Sequence, residues 1–262
     1  MKLDRPTINA LAEHLETAEL SARDVLKITD AHPMMDWDDA YAIQDELRRR
    51  KESRGQRTVG LKAGLTSFAK MKQMGVDQPV FGFLSDYMNR ADGADIDTAE
   101  LIHPKVEAEI CVVTNAALRG PGCHVGNVLA AVDFVTPGVE VIDSRYRDFK
   151  FDLKSVIADN TSASRFVVGG RARALRELDL RTLGIVLEVN GKIRAMAAGA
   201  AVLGHPLAAV AMLANHLGAR GQELPAGTLV LTGGVTEAIA VSAGDHVTAR
   251  FQDLGSVSMR FV

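Results

Sequence analysis

Three glutamates of this chain stand where acids are costly. Glu107 and Glu109 lie two residues apart in His103-Pro104-Lys105-Val106-Glu107-Ala108-Glu109-Ile110, a run that leads into an apolar segment. In an extended strand residues i and i+2 point to the same face, so the two carboxylates become neighbours while Val106, Ala108 and Ile110 face the other way. Two like charges roughly 7 Å apart beside a core raise each other's pKa, and burial adds a desolvation cost, unless a cation lies between them. Glu140 is a third lone acid, set in Val139-Glu140-Val141-Ile142 with valine on both sides, which implies burial. Three carboxylates with no His or Cys companion make a hard, all-oxygen site suited to Mg²⁺ or Mn²⁺ rather than zinc. Octahedral coordination would leave about three positions open. A 2-oxo acid can fill two of them, through a carboxylate oxygen and the keto oxygen. The alternative is an edge strand whose acids face water, and Glu-x-Glu alone does not exclude it.

Other residues carry chemistry with more than one reading. Lys62, in Gly60-Leu61-Lys62-Ala63-Gly64, is a charge among apolar neighbours and needs a partner, unless it is an edge lysine turned to water. Arg145, in Asp143-Ser144-Arg145-Tyr146, is suited to bind a carboxylate bidentately, or to pair with Asp143 or Asp148. Ser162, in Asp159-Asn160-Thr161-Ser162, offers a hydroxyl to a bound acid or caps a local turn. His205 is followed at once by Pro206 and reads as helix-start scaffolding rather than a catalytic base. Thr232-Gly233-Gly234 suits either close backbone approach to a ligand or a tight turn.

The elements that must position these groups change in texture along the chain. Ile8, Leu11 and Leu15 share one helix face, as do Trp37, Ala40, Ile43 and Leu47. Ser21 with Asp24 resembles a capping box ahead of Val25 and Leu26. Arg48-Arg49-Arg50-Lys51 reads as a solvated C-terminal cap that complements the helix dipole. From about residue 57 short β-rich runs take over, at 58–62, 109–113, 139–142, 185–189, 227–231, 245–251 and 256–262, with a type I′ hairpin signal at Asn190-Gly191. One helix is expected among them, from Pro206 to about Leu217. The pattern is α+β: a helical N-terminal region, residues 1–70, then a β-rich catalytic domain, residues 71–262.

Composition excludes several classes of function. With 47% hydrophobic and 24% charged positions the 262-residue chain is globular, and a net charge of -3 with interleaved signs offers no basic field for nucleic acid. No signal-peptide core opens the sequence, and no stretch of about 18 uncharged apolar residues is expected to span a membrane, which suggests a soluble cytoplasmic protein. Two cysteines, Cys111 and Cys123, are too few for a disulfide scaffold.

The runs Val59-Gly60-Leu61-Lys62-Ala63-Gly64-Leu65-Thr66, Pro104-Lys105-Val106-Glu107-Ala108-Glu109-Ile110, Glu140-Val141-Ile142-Asp143-Ser144-Arg145, Ala158-Asp159-Asn160-Thr161-Ser162 and Leu203-Gly204-His205-Pro206-Leu207 resemble the hydratase/decarboxylase branch of the fumarylacetoacetase superfamily, in the family's order over essentially the whole chain. The resemblance implies a mixed β-roll of the fumarylacetoacetase C-terminal-domain type, a Mg²⁺ or Mn²⁺ ion, and metal ligands that carry over onto Glu107, Glu109 and Glu140. It implies an active-site role for Lys62, as a cation near the substrate or a proton donor, while Arg145 and Ser162 remain substrate-binding candidates beside their structural alternatives. The implied partners are a 2-oxo dicarboxylic acid, the cognate 2-oxopent-4-enoate hydratase, and further copies of the same chain.

Within the branch, decarboxylation of 2-oxohex-3-enedioate and hydration of 2-hydroxypenta-2,4-dienoate use the same metal site. Hydratases of the branch typically carry an aspartate at the position of Val80, an acid that could assist addition of water. An apolar residue there argues for a drier site that loses CO₂, and Phe83, Tyr87 and Ser67-Phe68-Ala69-Lys70-Met71 also resemble the decarboxylases. A C–C hydrolase of the superfamily needs a base to activate water, and no convincing His-Glu dyad adjoins the metal motifs. A metal-binding scaffold for the hydratase would have no need of open metal positions or of Lys62.

Overall fold

Alternation along one strand organises the molecule. In the computed structural model, which describes all of the chain except residues 69, 70, 73, 74 and 77, strand β5 (Lys105–Thr114) runs through the middle of the larger of two sheets. Its Val106, Ala108, Ile110 and Val112 are wholly buried in the main core, and the glutamates face the other way, as the period of two predicts.

Around β5 the sheet contains β1 (Thr58–Gly64), β2 (Val80–Ser85), β3 (Asn89–Arg90), β6 (Val132–Ile142), β7 (Ala163–Val168) and β10 (Leu229–Gly234), in the order β2-β1-β10-β5-β6-β7-β3. A short β11 (Ile239–Ala240) pairs with the start of β5. The second sheet orders β4 (Asp95–Ile96), β13 (Gly255–Phe261), β12 (His246–Phe251), β8 (Gly184–Val189) and β9 (Lys192–Ala198) as β4-β13-β12-β8-β9. Both sheets are mixed: β1 and β10, β3 and β7, and β4 and β13 pair in parallel. The inward rows of β5, β6, β8, β12 and β13 form the core together with α6 (Pro206–Ala219). Asn190 and Gly191 turn β8 into β9 with φ of 54° and 71°, the hairpin expected from the dipeptide.

The N-terminal region is helical as expected, with α1 (Arg5–Leu20), the short α2 (Ile28–Ala31) and α3 (Trp37–Ser53). Ile8, Leu11 and Leu15 pack with Ile43 and Leu47 against Val80, Phe83, Tyr146 and Ile157 of the β-rich part. Strand β1 precedes residue 71 yet lies between β2 and β10 in the large sheet. The short helices α4 (Val125–Ala131) and α5 (Leu153–Ala158) have too few turns to announce themselves by periodicity.

Three readings need correction. Ser21 does not open a helix: it is the C-cap of α1, its Oγ donating to the Thr17 carbonyl at 2.7 Å, because Asp4 already caps α1 and α2 starts only at Ile28. The segment Gly199–Ala219 has no Asp, Glu, Lys or Arg and reaches a mean hydropathy of 1.4, the composition of a membrane span. Its helix is the 14-residue α6, about 21 Å long and so shorter than the hydrocarbon layer, with Leu207, Val210 and Leu213 in the core.

The third correction concerns the basic run at the end of α3. Arg49 pairs with Glu46 and Arg50 with Glu16, but Lys51 is 1% exposed and its ammonium bonds Glu19 at 2.7 Å and the Tyr87 hydroxyl at 2.9 Å. Burial raises the Glu19 pKa, but Lys51 and Arg145 outweigh it and hold the carboxyl at about 2. A carboxyl depressed from its ordinary value contributes stability that is present above about pH 4.5 and is lost as pH falls towards about 2. Glu19→Gln should therefore be less stable than the parent by about 3 kcal/mol at pH 7, and its urea-unfolding stability should fall less steeply between about pH 4.5 and pH 2. Parallel acid limbs in the two proteins would remove Glu19 from that role.

Candidate metal centre and cavity

The register of β5 against β6 builds the site. Glu107 pairs directly with Glu140, and Glu109 with Gly138. Glu107, Glu109 and Glu140 are 8%, 0% and 1% exposed, and one carboxylate oxygen from each lies within 4.8 Å of the others. On the other side β10 bends over the acids, since its register with β5 shifts between Leu231 and Gly234. There Gly233, at φ 109°, donates its N–H to Glu109 Oε2 at 2.7 Å. A Cβ at Gly234 would stand 2.4 Å from Glu107 Oε2, so a larger residue there would push that carboxylate out of its place. Thr232-Gly233-Gly234 thus closes over the acid side chains.

Electrostatics make this cluster expensive without a cation. Burial, and then the charge of Glu140, push the Glu109 carboxyl well above the usual range. Burial also raises Glu140, against the pull of Lys62. Lys62 offsets part of the charge: its ammonium lies 2.8 Å from Glu140 Oε2 and donates to the Thr161 carbonyl at 3.1 Å. Glu109 Oε1 is buried with no hydrogen-bond partner among the described residues. Hard oxygen donors, an orphaned buried carboxylate oxygen and mutual repulsion are what a small divalent cation satisfies, so the residues fit Mg²⁺ or Mn²⁺.

The cluster opens into a cavity of about 270 Å³. Lys62, Lys105, Glu107, Thr161 and Ser162 supply its polar lining, and Leu65, Val80, Ile142, Phe149, Phe151 and Val156 much of the apolar lining. Val80 sits in the wall as a buried, apolar side chain. Phe83 is turned away into the N-terminal helical cluster and Tyr87 bonds Lys51, so neither lines this cavity. In Ser67-Phe68-Ala69-Lys70-Met71, Ala69 and Lys70 lie outside the described residues.

Ser162 belongs to an unusual turn. Asn160, Thr161 and Ser162 all have positive φ, at 48°, 52° and 60°, a left-handed run that non-glycine residues adopt at a cost of order 1–3 kcal/mol each. The surroundings enforce it. Asn160 clamps β2 by accepting from Phe83 N and donating to Phe83 O, both at 2.9 Å, and Lys62 holds the Thr161 carbonyl. The result is two hydroxyls, Thr161 Oγ1 and Ser162 Oγ, buried beside the cavity with no hydrogen-bond partner among the described residues. Sequence reasoning singled out Ser162 and passed over Thr161; no local signal marks a left-handed threonine.

Arg145 is placed differently from the carboxylate-binding expectation. It is 2% exposed and absent from the cavity wall. Its Nε is paired with Asp159, and Nη1 donates to the carbonyls of Asp143 at 2.7 Å and Ala163 at 3.1 Å. The ion-pair alternative describes this arrangement, with Asp159 as the partner in place of Asp143 or Asp148. The pair anchors the residue that precedes the left-handed turn. His205 caps α6, its Nδ1 accepting from Leu207 N at 3.1 Å, which matches the scaffolding reading.

Comparison with known proteins places this architecture. The chain is 61% identical over 260 residues to a 4-oxalocrotonate decarboxylase of Pseudomonas putida, covering 99% of this chain and 98% of the relative. It is 38% identical over 260 residues to a 2-hydroxyhexa-2,4-dienoate hydratase of Comamonas testosteroni, covering 98% of each. The crystal structure of 4-oxalocrotonate decarboxylase from Pseudomonas putida G7, complexed with magnesium and adipate, superposes with a TM-score of 0.98 at 59% identity, covering 100% of this chain and 99% of that one. Residues 64–262 match the family described as fumarylacetoacetate (FAA) hydrolase C-terminal, and the chain belongs to that family.

Proposed function

We propose that this protein is a divalent-metal-dependent carboxy-lyase that converts 2-oxohex-3-enedioate (4-oxalocrotonate) to CO₂ and 2-hydroxypenta-2,4-dienoate or its 2-oxopent-4-enoate form. The observation that carries the reading is the buried triad opening on a cavity with the apolar Val80 in its wall. Full-length identity of 61% and 58% to two Pseudomonas 4-oxalocrotonate decarboxylases supports it, against 38% to the hydratase. The adipate in the related decarboxylase is a six-carbon diacid, the length of the proposed substrate.

Glu107, Glu109 and Glu140 would hold the ion. When bound, Mg²⁺ or Mn²⁺ supplies Lewis-acid stabilisation of negative charge on an oxygen. In the proposed substrate the departing carboxylate is vinylogously β to the ketone. Its C–C bonding pair flows through the C3–C4 double bond towards the keto oxygen, and CO₂ leaves. Lys62 lines the cavity beside the proposed ligand Glu140, oriented by Glu140 and Thr161, and adds positive charge where the oxygen gains electrons or returns a proton to the product. The partnerless hydroxyls of Thr161 and Ser162 donate to the bound acid, and Arg145 positions their turn through Asp159. Val80, Ile142, Phe149 and Phe151 exclude water from the carboxylate that becomes neutral CO₂.

Lys62→Met should lower turnover by at least about tenfold. Metal affinity should stay within a few-fold or tighten, because removing the ammonium beside Glu140 leaves more negative charge around the ion. Near-normal turnover, or a collapse of metal binding, would sink the assignment. The substrate itself is tested by incubating the Mg²⁺-loaded protein with 2-oxohex-3-enedioate and with 2-hydroxypenta-2,4-dienoate: the reading expects CO₂ from the first, and water addition to the second alone would replace it with a hydratase.

We extend the reading to association with the cognate hydratase and with further copies of this chain. The edge strand β9, with Ile193 and Met196 57% and 68% exposed, supports a subunit contact. Both cysteines are free and buried, which supports a reducing, cytoplasmic setting.

A further inference from the structure

Lys105 lies two residues before Glu107 on β5, so its side chain leaves the strand on the same face as the metal-ligating acids. It lines the same cavity. Its ammonium stands 4.0 Å from the ring centroid of Phe149, another wall residue, and Phe149 is steadied by His103 at 5.2 Å and Phe151 at 5.9 Å between ring centroids. Among the described residues no carboxylate pairs with Lys105, whereas Lys62, the other cation of the wall, is tied to Glu140. Among the described residues Lys62 and Lys105 are thus the two cations of a wall that is otherwise largely apolar, and Lys105 stands two residues along β5 from the metal-ligating Glu107. Two residues of strand span roughly 7 Å, about the separation of the terminal carboxyl carbons in an extended six-carbon diacid.

We propose that Lys105, propped on Phe149, binds the second carboxylate of the substrate, the one remote from the 2-oxo group, and so selects diacids over monoacids. The inference rests on the diacid reading above and adds its specificity-determining residue. The chemistry sets a particular signature. The remote carboxylate is anionic in the bound substrate and departs as neutral CO₂, so attraction to Lys105 is strongest before the bond breaks and fades as it does. An interaction made more fully in the ground state than in the transition state increases affinity without increasing the rate of the bound complex. Part of the ammonium's attraction is directed to the ring face of Phe149, which steadies the cation without neutralising it.

The test uses the Mg²⁺-loaded protein, with 2-oxoadipate and 2-oxohexanoate as competitive inhibitors that differ only in the remote carboxylate. The parent should bind the diacid at least about tenfold more tightly than the monoacid. Lys105→Met, which keeps the apolar stem against Phe149, should reduce that preference to about twofold or less, with 2-oxohexanoate binding unchanged within about twofold. Its KM for 2-oxohex-3-enedioate should rise by about tenfold or more while kcat holds or increases. Lys105→Arg should keep most of the preference. The proposal is overturned if Lys105→Met retains the parent's preference, if it weakens both inhibitors equally, or if kcat falls with KM unchanged. Release of CO₂ by the parent is followed in the same assays. A parent that shows Lys105-dependent selection of 2-oxoadipate without releasing CO₂ would support this role for Lys105 and overturn the reaction instead.

Discussion

Mg²⁺ is expected to raise the melting temperature of the parent protein, and Glu109→Gln to abolish that rise and to lower turnover by about a thousandfold or more. The substitution preserves shape. Glu109 is fully buried, and one of its oxygens accepts from Gly233 N, a bond that the glutamine carbonyl can keep. What changes is charge: in a side chain clustered with Glu107 and Glu140, the partnerless Oε1 gives way to an amide nitrogen that repels a cation. Burial and the neighbouring Glu140 push the Glu109 carboxyl up in the metal-free protein, so removing its charge should leave that form as stable as the parent or more so. The pairing of a lost metal response with an undamaged metal-free fold separates loss of a ligand from general damage. Parent-like turnover together with a preserved Mg²⁺ response would remove Glu109 from the site. Isothermal titration with Mg²⁺ and thermal melts with and without the ion provide both readings.

Arg145→Met should be the most destabilising of the changes considered, by about 3–5 kcal/mol. In a chain of this size that corresponds to about 6–20 °C in melting temperature. The guanidinium is buried, and its removal strands the Asp159 carboxylate and leaves the carbonyls of Asp143 and Ala163 without their donor. Burial holds the Asp159 pKa up at about 6 even with Arg145 beside it, and without that partner it rises further. A carboxyl raised in the fold penalises the folded state above its folded pKa, and the penalty fades as pH falls and the group protonates. The deficit relative to the parent should therefore be larger at pH 8 than at pH 5. An arginine that bound substrate directly would give the opposite pattern, a raised KM with an unchanged melting temperature. Urea unfolding of both proteins at the two pH values, with KM measured alongside, decides between these roles.

The parts of this site that were legible in the sequence are those set by local geometry. Alternation along a strand places Glu107 with Glu109 and turns Val106, Ala108 and Ile110 into the core, without knowledge of any other strand. The Asn190-Gly191 turn and the helix at Pro206 are local in the same sense. The burial of Glu140 follows from its flanking valines, but its pairing opposite Glu107 is a long-range fact of register. What the sequence concealed is long-range or strained. Arg145 finds Asp159 only because the chain doubles back through α5, and its nearer acids, Asp143 and Asp148, were the visible candidates. Lys51 is drawn inside by Glu19, 32 residues away, so a basic run that reads as solvated ends in a buried ion pair. The left-handed conformation of Thr161 is imposed by Phe83 and Lys62 from other strands, against its intrinsic preference, and nothing in its neighbours predicts it. Local rules fail where tertiary contacts override propensity, at the Thr161 turn of the cavity wall and equally at the buried ion pairs of Arg145 and Lys51 away from it.

The face-to-face placement of Glu107 and Glu140 across β5 and β6 also bears on how the protein matures. A slip of one residue between these strands would move Glu140 to the opposite side of the sheet and scatter the ligands. The proposed metal site therefore exists only in the native register, where the bend of β10 also closes over the acids. If these acids hold the ion as proposed, free Mg²⁺ would favour the aligned sheet over a slipped one by RT ln(1 + [Mg²⁺]/Kd), tying strand register to metal supply.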